Sequence, residues 1–376
     1  MISTSPTFCP APWTSLNIDQ TGRVFPCMNS GYELGNVKQT AIQEILKDTN
    51  MRELRSAITC GQWHTACKLC QQAEETTGSS ARTVRHARPE TVAAIDQDSA
   101  NFFELEHIVV NWSNLCNLTC TYCNPETSTA WQTIKGIPIN HVRNEHPDLI
   151  KLAQEYGHTV QGLTLGGGEP LLQKGLLDFL RCLNPEQVRV MVTTNLSIDI
   201  GKNPIYNELR TWPQVDWMIS FDNADQDKFE YVRNGADWDL FVANIQLMKQ
   251  HAQKVIAHPA YSIYCALDLV DYYDFCAAQN LDIFWCELTY PWVLDIRRYP
   301  LATRQRAVAE IDCVLEQYGN TANLAVNTLR GYRMTLLDNS YLVSPHYQPR
   351  PQQWHQQIEA ELNKTVKFSQ LWPDTE

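Results

Sequence analysis

Three cysteines on one short run, SNLCNLTCTYCNP, carry the most pointed chemistry in this chain: Cys116, Cys120 and Cys123. The C-x3-C-x2-C spacing puts three thiolates on one loop, enough to hold three irons of a 4Fe-4S cube and leave the fourth iron open. Electron-transfer clusters usually take four cysteines from the protein, so an open iron calls for an outside ligand, such as a molecule with an amino and a carboxylate group. A zinc site and a chance grouping of buried cysteines are the alternatives. Zinc, however, favours paired C-x2-C or mixed Cys/His sets, and no histidine lies near the run. Further along, the segment LTLGGGEP supplies Gly167, Gly168 and Glu169. Glycine there lets a backbone approach a ligand that a side chain would block, although alone the run equally reads as a tight turn.

A second thiol set lies near the N-terminus. Cys9 and Cys27 frame FCPAPWTSLNIDQTGRVFPC, with Gly22 placed for a hairpin turn between TSLNI and RVFPC, and a C-x2-C pair follows at Cys67 and Cys70. Four thiolates of this kind complete one cluster, or equally a four-cysteine zinc ribbon. Cys60 is the residue that would replace one of them in a different ligand set, and its spacing to Cys67 favours a bystander.

The elements that must position these groups follow from periodicity. Residues 1–75 form a small cysteine-rich domain with one expected helix from about Thr40 to Ala57, and 76–104 reads as a polar linker with a basic patch from Arg82 to Arg88. From 105 to 300 strands alternate with amphipathic helices, the pattern of a parallel sheet or barrel. Six strands are expected: 107–112, 160–166, 188–194, 215–221, 258–267 and 281–288. Residues 301–376 read as a helical extension with a loop rich in Pro, Tyr and His. The fold class is therefore α/β, a partial (β/α)6 TIM-like barrel with a small α+β cysteine-rich domain before it and helices after it. The trio falls just after the first barrel strand and the Gly-Gly-Glu run at the end of the second.

That combination resembles the radical S-adenosylmethionine (SAM) superfamily. The resemblance implies a SAM-binding 4Fe-4S cluster on Cys116, Cys120 and Cys123. It also implies SAM contacts at Gly167, Gly168 and Glu169, at Asn195 in TTN, at Ser220 and Asp222 in SFD, at Arg233 in YVRNG for the SAM carboxylate, and at Tyr122 near adenine. Bland readings stand beside these: Asn195 as a turn cap, Asp222 as a helix cap, Arg233 as half of a surface ion pair, Tyr122 as loop packing. The N-terminal set resembles the twitch or SPASM auxiliary-cluster domain, implying a second 4Fe-4S cluster on Cys9, Cys27, Cys67 and Cys70. One departure is that the domain precedes the barrel here, whereas in similar enzymes it follows it.

Composition narrows the function. The 376 residues carry 30 Lys and Arg against 42 Asp and Glu, a net charge of −12, which disfavours nucleic acid as a partner. No apolar run is long enough to span a membrane, and MISTSPTFCPAPW has no secretory pattern, so the expected location is the cytoplasm, where thirteen cysteines are better explained by metal than by disulfides. The resemblance implies reductive cleavage of SAM to a 5′-deoxyadenosyl radical and hydrogen abstraction from a substrate. By analogy that substrate is a ribosomally made peptide undergoing cross-linking, oxidation, thioether formation or epimerisation, and the electron donor a flavodoxin or ferredoxin. A small-molecule dehydrogenase and a non-enzymatic iron-sulfur or zinc scaffold are the alternatives. Cys286 and Cys265, on the last two expected strands, are candidates for returning a hydrogen atom to a peptide radical. The aromatics Phe284, Trp285, Tyr290 and Trp292 are candidates for stacking on a substrate.

Overall fold

The computed structural model describes residues 2–85, 87–138, 147–251, 254–288, 290–319, 324–338, 350–373 and 375. They form two compact units: Met1–Leu115 with Asn140–Val192 and Pro204–Val215, and Cys116–Ile139 with Thr193–Asn203 and Asp216–Glu376.

In the first unit, β1 (Ser15–Ile18) and β2 (Arg23–Phe25) form the expected hairpin, and β3 (Gly35–Asn36) extends it antiparallel. The turn is set by Asp19, whose carboxylate accepts from Thr21 N–H at 2.8 Å and Arg23 N–H at 3.1 Å. Gly22 sits at φ +88°, a conformation other residues rarely take. On its other edge β1 pairs in parallel with β4 (His107–Asn111), which continues to β5 (Gly162–Gly166) and β6 (Arg189–Thr194). The cysteine-rich hairpin and the first parallel strands thus share one sheet. Alternate residues Ile108 and Val110, Leu163 and Leu165, Val190 and Val192 are buried, each worth roughly 1.5–3 kcal/mol on burial. Helices Pro147–Tyr156 and Leu176–Leu180 contribute Leu149, Leu152, Phe179 and Leu180 to the buried core.

Two sequence expectations change here. The helix expected over 40–57 is two helices, Ile42–Ile45 and Thr49–Thr59. The buried positions Ile42, Ile45 and Leu46 resume only at Met51, then Leu54 and Ile58. A five-residue step swings the apolar stripe well off one helical face, so the chain breaks to keep both halves buried. The segment read as a linker carries helix Pro89–Gln97, entered by Pro89 in the first turn and seated by Thr91 and Ile95. Arg88, just before it, ties to Glu106 at 2.8 Å and to Glu104.

In the second unit, β7 (Val215–Ile219), β8 (Lys254–Ala257) and, further along the chain, Asp282–Ile283 pair in parallel in that order. Ala260–Tyr261 and Cys286–Glu287 form a separate parallel pair. The strand expected at 258–267 is displaced: the long pairing lies earlier, at 254–257, and Ser262–Leu267 is a buried turn ahead of helix Leu269–Ala278. Its run of buried apolar residues resembles a strand in composition, but Ala266 N–H bonds back to Ser262 O at 2.9 Å, which curls the chain. Helices Trp238–Lys249, Leu301–Tyr318, Leu324–Leu336 and Pro351–Glu361 complete the unit. Residues 339–349, within the expected loop, lie outside the described residues. Among the described residues no helix is long and apolar enough to cross a membrane.

Helix Pro351–Glu361 contains a titratable group with a measurable consequence. His355 is 2% exposed and its ring lies parallel to that of Phe368 at 3.6 Å. Burial pushes its pKa down to about 3, against about 6.5 in an unfolded chain. The unfolded state therefore takes the proton first: this group's contribution is complete above pH 6.5 and is lost as pH falls from 6.5 toward 3. Urea unfolding at pH 7.5 and 5.0 should show a loss of about 2 kcal/mol from this residue, absent in His355→Phe. Equal pH dependence in both proteins would refute the assignment.

Candidate metal centres

The cysteine trio lies in the second unit, on a loop held from several sides. Thr119 and Thr121 N–H donate to the carbonyls of Asn234 and Val232 at 3.0 and 2.9 Å, and Trp131 Nε1 donates to Cys120 O at 3.0 Å. The Thr129 hydroxyl donates to Cys116 O at 3.1 Å and accepts its N–H at 3.2 Å. Ser128 caps helix Thr129–Ile134 and donates to Leu118 O at 2.7 Å. These supporting residues escape the motif reading; only the Ser-Thr pair opening a helix signals them in sequence.

Around the thiols the structure gathers four residues singled out above. The Asn195 amide nitrogen lies 3.7 Å from Cys116 Sγ and 3.1 Å from Asn117 Oδ1. Arg233 Nη1 lies 3.9 Å from Cys120 Sγ, and its Nε donates to Asp222 Oδ2 at 2.9 Å. Tyr122 donates its hydroxyl to the same oxygen at 3.0 Å, and the guanidinium sits 5.2 Å above its ring. Asp222 also accepts Ala260 N–H at 2.9 Å. Asp222 and Arg233 thus face each other in the interior, rather than forming a helix cap or a surface ion pair. Ser220 donates its N–H to Thr194 O at 2.9 Å. The Cys120 thiol is brought down to about 7, first by its hydrogen bond with Cys123 and then by the Arg233 charge.

The glycine run belongs to the first unit. Gly167 has φ +98°, and a Cβ there would sit 2.6 Å from Ser113 O; at Gly168 it would sit 2.3 Å from Leu115 O. Gly168 and Glu169 N–H donate to Ser113 O and Leu115 O, both at 2.7 Å. The run is therefore laid backbone to backbone against the stretch that precedes Cys116 in sequence. Glu169 is fully buried and accepts Leu171 N–H at 3.1 Å.

Also in the first unit, Cys9, Cys27, Cys67 and Cys70 line one cavity, with Arg82 at its wall. Cys60 is exposed and is not among the lining residues. Cys67 and Cys70 stand at the start of helix Lys68–Thr77, whose N-terminal dipole favours thiolates. Arg82 donates to Phe8 O at 2.9 Å and pairs with Glu74 on the same helix. Burial and then the neighbouring thiols push Cys67 up to about 12; Cys9 rises to about 11, chiefly by burial. Four thiols in an apolar cavity are costly to ionise alone, so metal loading would drive their deprotonation. Among the described residues no three His, Cys, Asp or Glu side chains close on a single-ion point. The donor chemistry in both places, thiols only, suits iron-sulfur.

Other sequence candidates are dispersed. Cys286 is exposed on its short strand, and Cys265 is buried in the turn rather than on a strand, with its Sγ 3.4 Å from Ser262 N. Trp285 is core, bonded to Tyr273 at 3.3 Å, whereas Phe284 and Tyr290 are exposed. Tyr290 lines a cleft with Cys123, Trp131 and Trp354.

Residues 9–71 match the family model of the SPASM iron-sulfur cluster-binding domain, and residues 110–264 that of the radical SAM superfamily. The chain carries a radical SAM domain over residues 110–264. The two matches support a radical SAM enzyme with a SPASM domain; these domains imply a 4Fe-4S cluster with SAM and auxiliary iron-sulfur, and the largely parallel strands with their helices fit the α/β partial barrel expected from sequence. Among curated relatives, 7-carboxy-7-deazaguanine synthase of Clostridium acetobutylicum is 24% identical over 45% of this chain and 67% of its own. GTP 3′,8-cyclase of Peptoclostridium acidaminophilum is 26% identical over 38% of this chain and 42% of its own. The chain thus spans about two thirds of the first relative's length and less than half of the second's. Among solved structures, Streptococcus suis SuiB bound to precursor peptide SuiA is 16% identical, with a TM-score of 0.40 over 68% of this chain and 61% of that one.

Proposed function

We propose that Cys116, Cys120 and Cys123 hold the SAM-binding cluster, that Cys9, Cys27, Cys67 and Cys70 hold the auxiliary one, and that the enzyme modifies a ribosomally made peptide. The observation that carries this reading is the trio itself: three thiols on a loop braced at Cys116 and Cys120, with no fourth cysteine in the run. Cys116, Cys120 and Cys123 would hold the cluster, which would supply the electron for reductive cleavage of SAM and so the hydrogen-abstracting chemistry. The chain's own part is to hold and shield. Thr129 and Trp131 fix the loop, and Asp222 holds Arg233 beside it. Gly167 and Gly168 let the backbone pack directly against Ser113 and Leu115, fixing the stretch that leads into Cys116. The cleft bordered by Cys123 has aromatic walls in Trp131, Trp354 and Tyr290 and amides in Asn124 and Gln357. That mixture suits an extended peptide. Flavodoxin or ferredoxin is the proposed electron donor.

A second reading, a small purine-like substrate, is favoured by what the two curated relatives are named for. Anaerobic reconstitution followed by dithionite and SAM should yield 5′-deoxyadenosine, and the triple variant Cys116→Ala, Cys120→Ala, Cys123→Ala should yield none. A several-fold rise in yield with GTP as the added probe would move the substrate to the second reading; no product from wild type would end both.

A further inference from the structure

We infer that Asn195 and Arg233 are hydrogen-bond donors to the cysteine sulfurs of the SAM-binding cluster and set its reduction potential. The inference rests on the proposed cluster assignment and goes beyond it, because the resemblance assigns both residues to SAM.

The geometry of each donor is over-determined. The Asn195 carbonyl oxygen accepts Ser197 N–H at 3.0 Å and the Ser197 hydroxyl at 2.6 Å, so the amide has its oxygen committed on that side. Its NH2 group is left facing Asn117 Oδ1 and Cys116 Sγ, and Asn117 in turn donates to the Ser197 hydroxyl at 2.8 Å. Flipping the amide would set two acceptors against each other at Asn117. Arg233 is fixed just as closely. Asp222 takes its Nε and is itself held by Tyr122 and Ala260, which leaves Nη1 toward Cys120 Sγ. Asp222 is therefore a positioning residue for Arg233.

One neutral and one cationic N–H thus reach two of the three thiols. Hydrogen bonds to cluster sulfurs and the local charge are among the factors that set iron-sulfur potentials, and both donors favour the more negative, reduced state. A cluster that must accept an electron before SAM is cleaved gains from that bias. The buried cation contributes the larger share, since charged donors make stronger hydrogen bonds than neutral ones.

The test is a potentiometric titration of the reconstituted holoenzyme, following by electron paramagnetic resonance the reduced signal that changes when SAM is added; this separates the trio's cluster from the auxiliary one. Asn195→Asp keeps the shape and removes the donor; Arg233→Gln removes the charge; Arg233→Lys retains it. Arg233→Gln should lower the reduced-to-oxidised ratio at fixed potential at least about tenfold, equivalent to 59 mV for one electron. Asn195→Asp should shift it in the same direction and Arg233→Lys should restore most of the effect. Unchanged midpoints at full iron content would overturn the inference, and so would loss of the signal in all three variants, which would make these residues assembly determinants. If wild type itself lacks a SAM-responsive signal, the cluster assignment fails first.

Discussion

Gly168→Ala should lower 5′-deoxyadenosine formation about 10²-fold, the scale expected when a reacting group is displaced by roughly 1 Å. The added Cβ would fall 2.3 Å from Leu115 O, 2.6 Å from Leu115 C and 2.7 Å from Asn114 C. All three are backbone atoms, which cannot rotate away as a side-chain tip can. The strain must move the stretch leading into Cys116, or push the Gly167–Glu169 turn outward and break the hydrogen bonds from Gly168 and Glu169. Gly31→Ala is the matched control: a Cβ there meets nothing within 4 Å, and activity should stay at the wild-type level. If Gly168→Ala retains more than half of wild-type product formation, the close approach is not required for SAM cleavage.

Asp222→Ala should be the most destabilising single change in the second unit. It strands the Arg233 guanidinium, 9% exposed at its side chain, without its carboxylate, whose own side chain is fully buried. Removing one partner of such a pair costs about 3–5 kcal/mol, whereas replacing both by apolar groups is often close to neutral. The double variant Asp222→Ala, Arg233→Met should therefore recover most of the stability in anaerobic urea unfolding. It should not recover the reduction potential, because the donor to Cys120 is gone. A single variant that loses less than 1 kcal/mol would mean that water reaches the pair and that the Arg233 charge is screened before it acts on the thiols.

These expectations also mark where sequence reading works on this chain. The trio was legible because it is local in sequence: Cys116, Cys120 and Cys123 fall within eight positions, so spacing alone reports that they share a loop. The strands at 107, 162 and 189 were legible because their alternation is that of half-buried strands. The fifth strand was not, since Ser262–Leu267 is apolar for reasons of burial in a turn and composition does not carry the direction of a hydrogen bond. The split at Lys47 and Asp48 shows as a five-residue step only once burial is known. Asn195 and Arg233 were picked out by position in a motif, yet what they face depends on Ser197 and Asp222, and no spacing rule reports that. Trp131 carried no motif at all, because a loop brace is specified by tertiary contact.

The most direct test of the account is the iron, sulfide and zinc content of anaerobically reconstituted protein, set beside SAM cleavage, in wild type, the Cys116/Cys120/Cys123→Ala variant and the Cys9/Cys27/Cys67/Cys70→Ala variant. Two 4Fe-4S clusters predict about eight irons per chain with little zinc, falling to about four in either variant, with 5′-deoxyadenosine lost when the trio is removed. About four irons plus one zinc in wild type would contradict the auxiliary cluster and make the N-terminal site a structural zinc ribbon; SAM cleavage that survives loss of the trio would contradict the central claim.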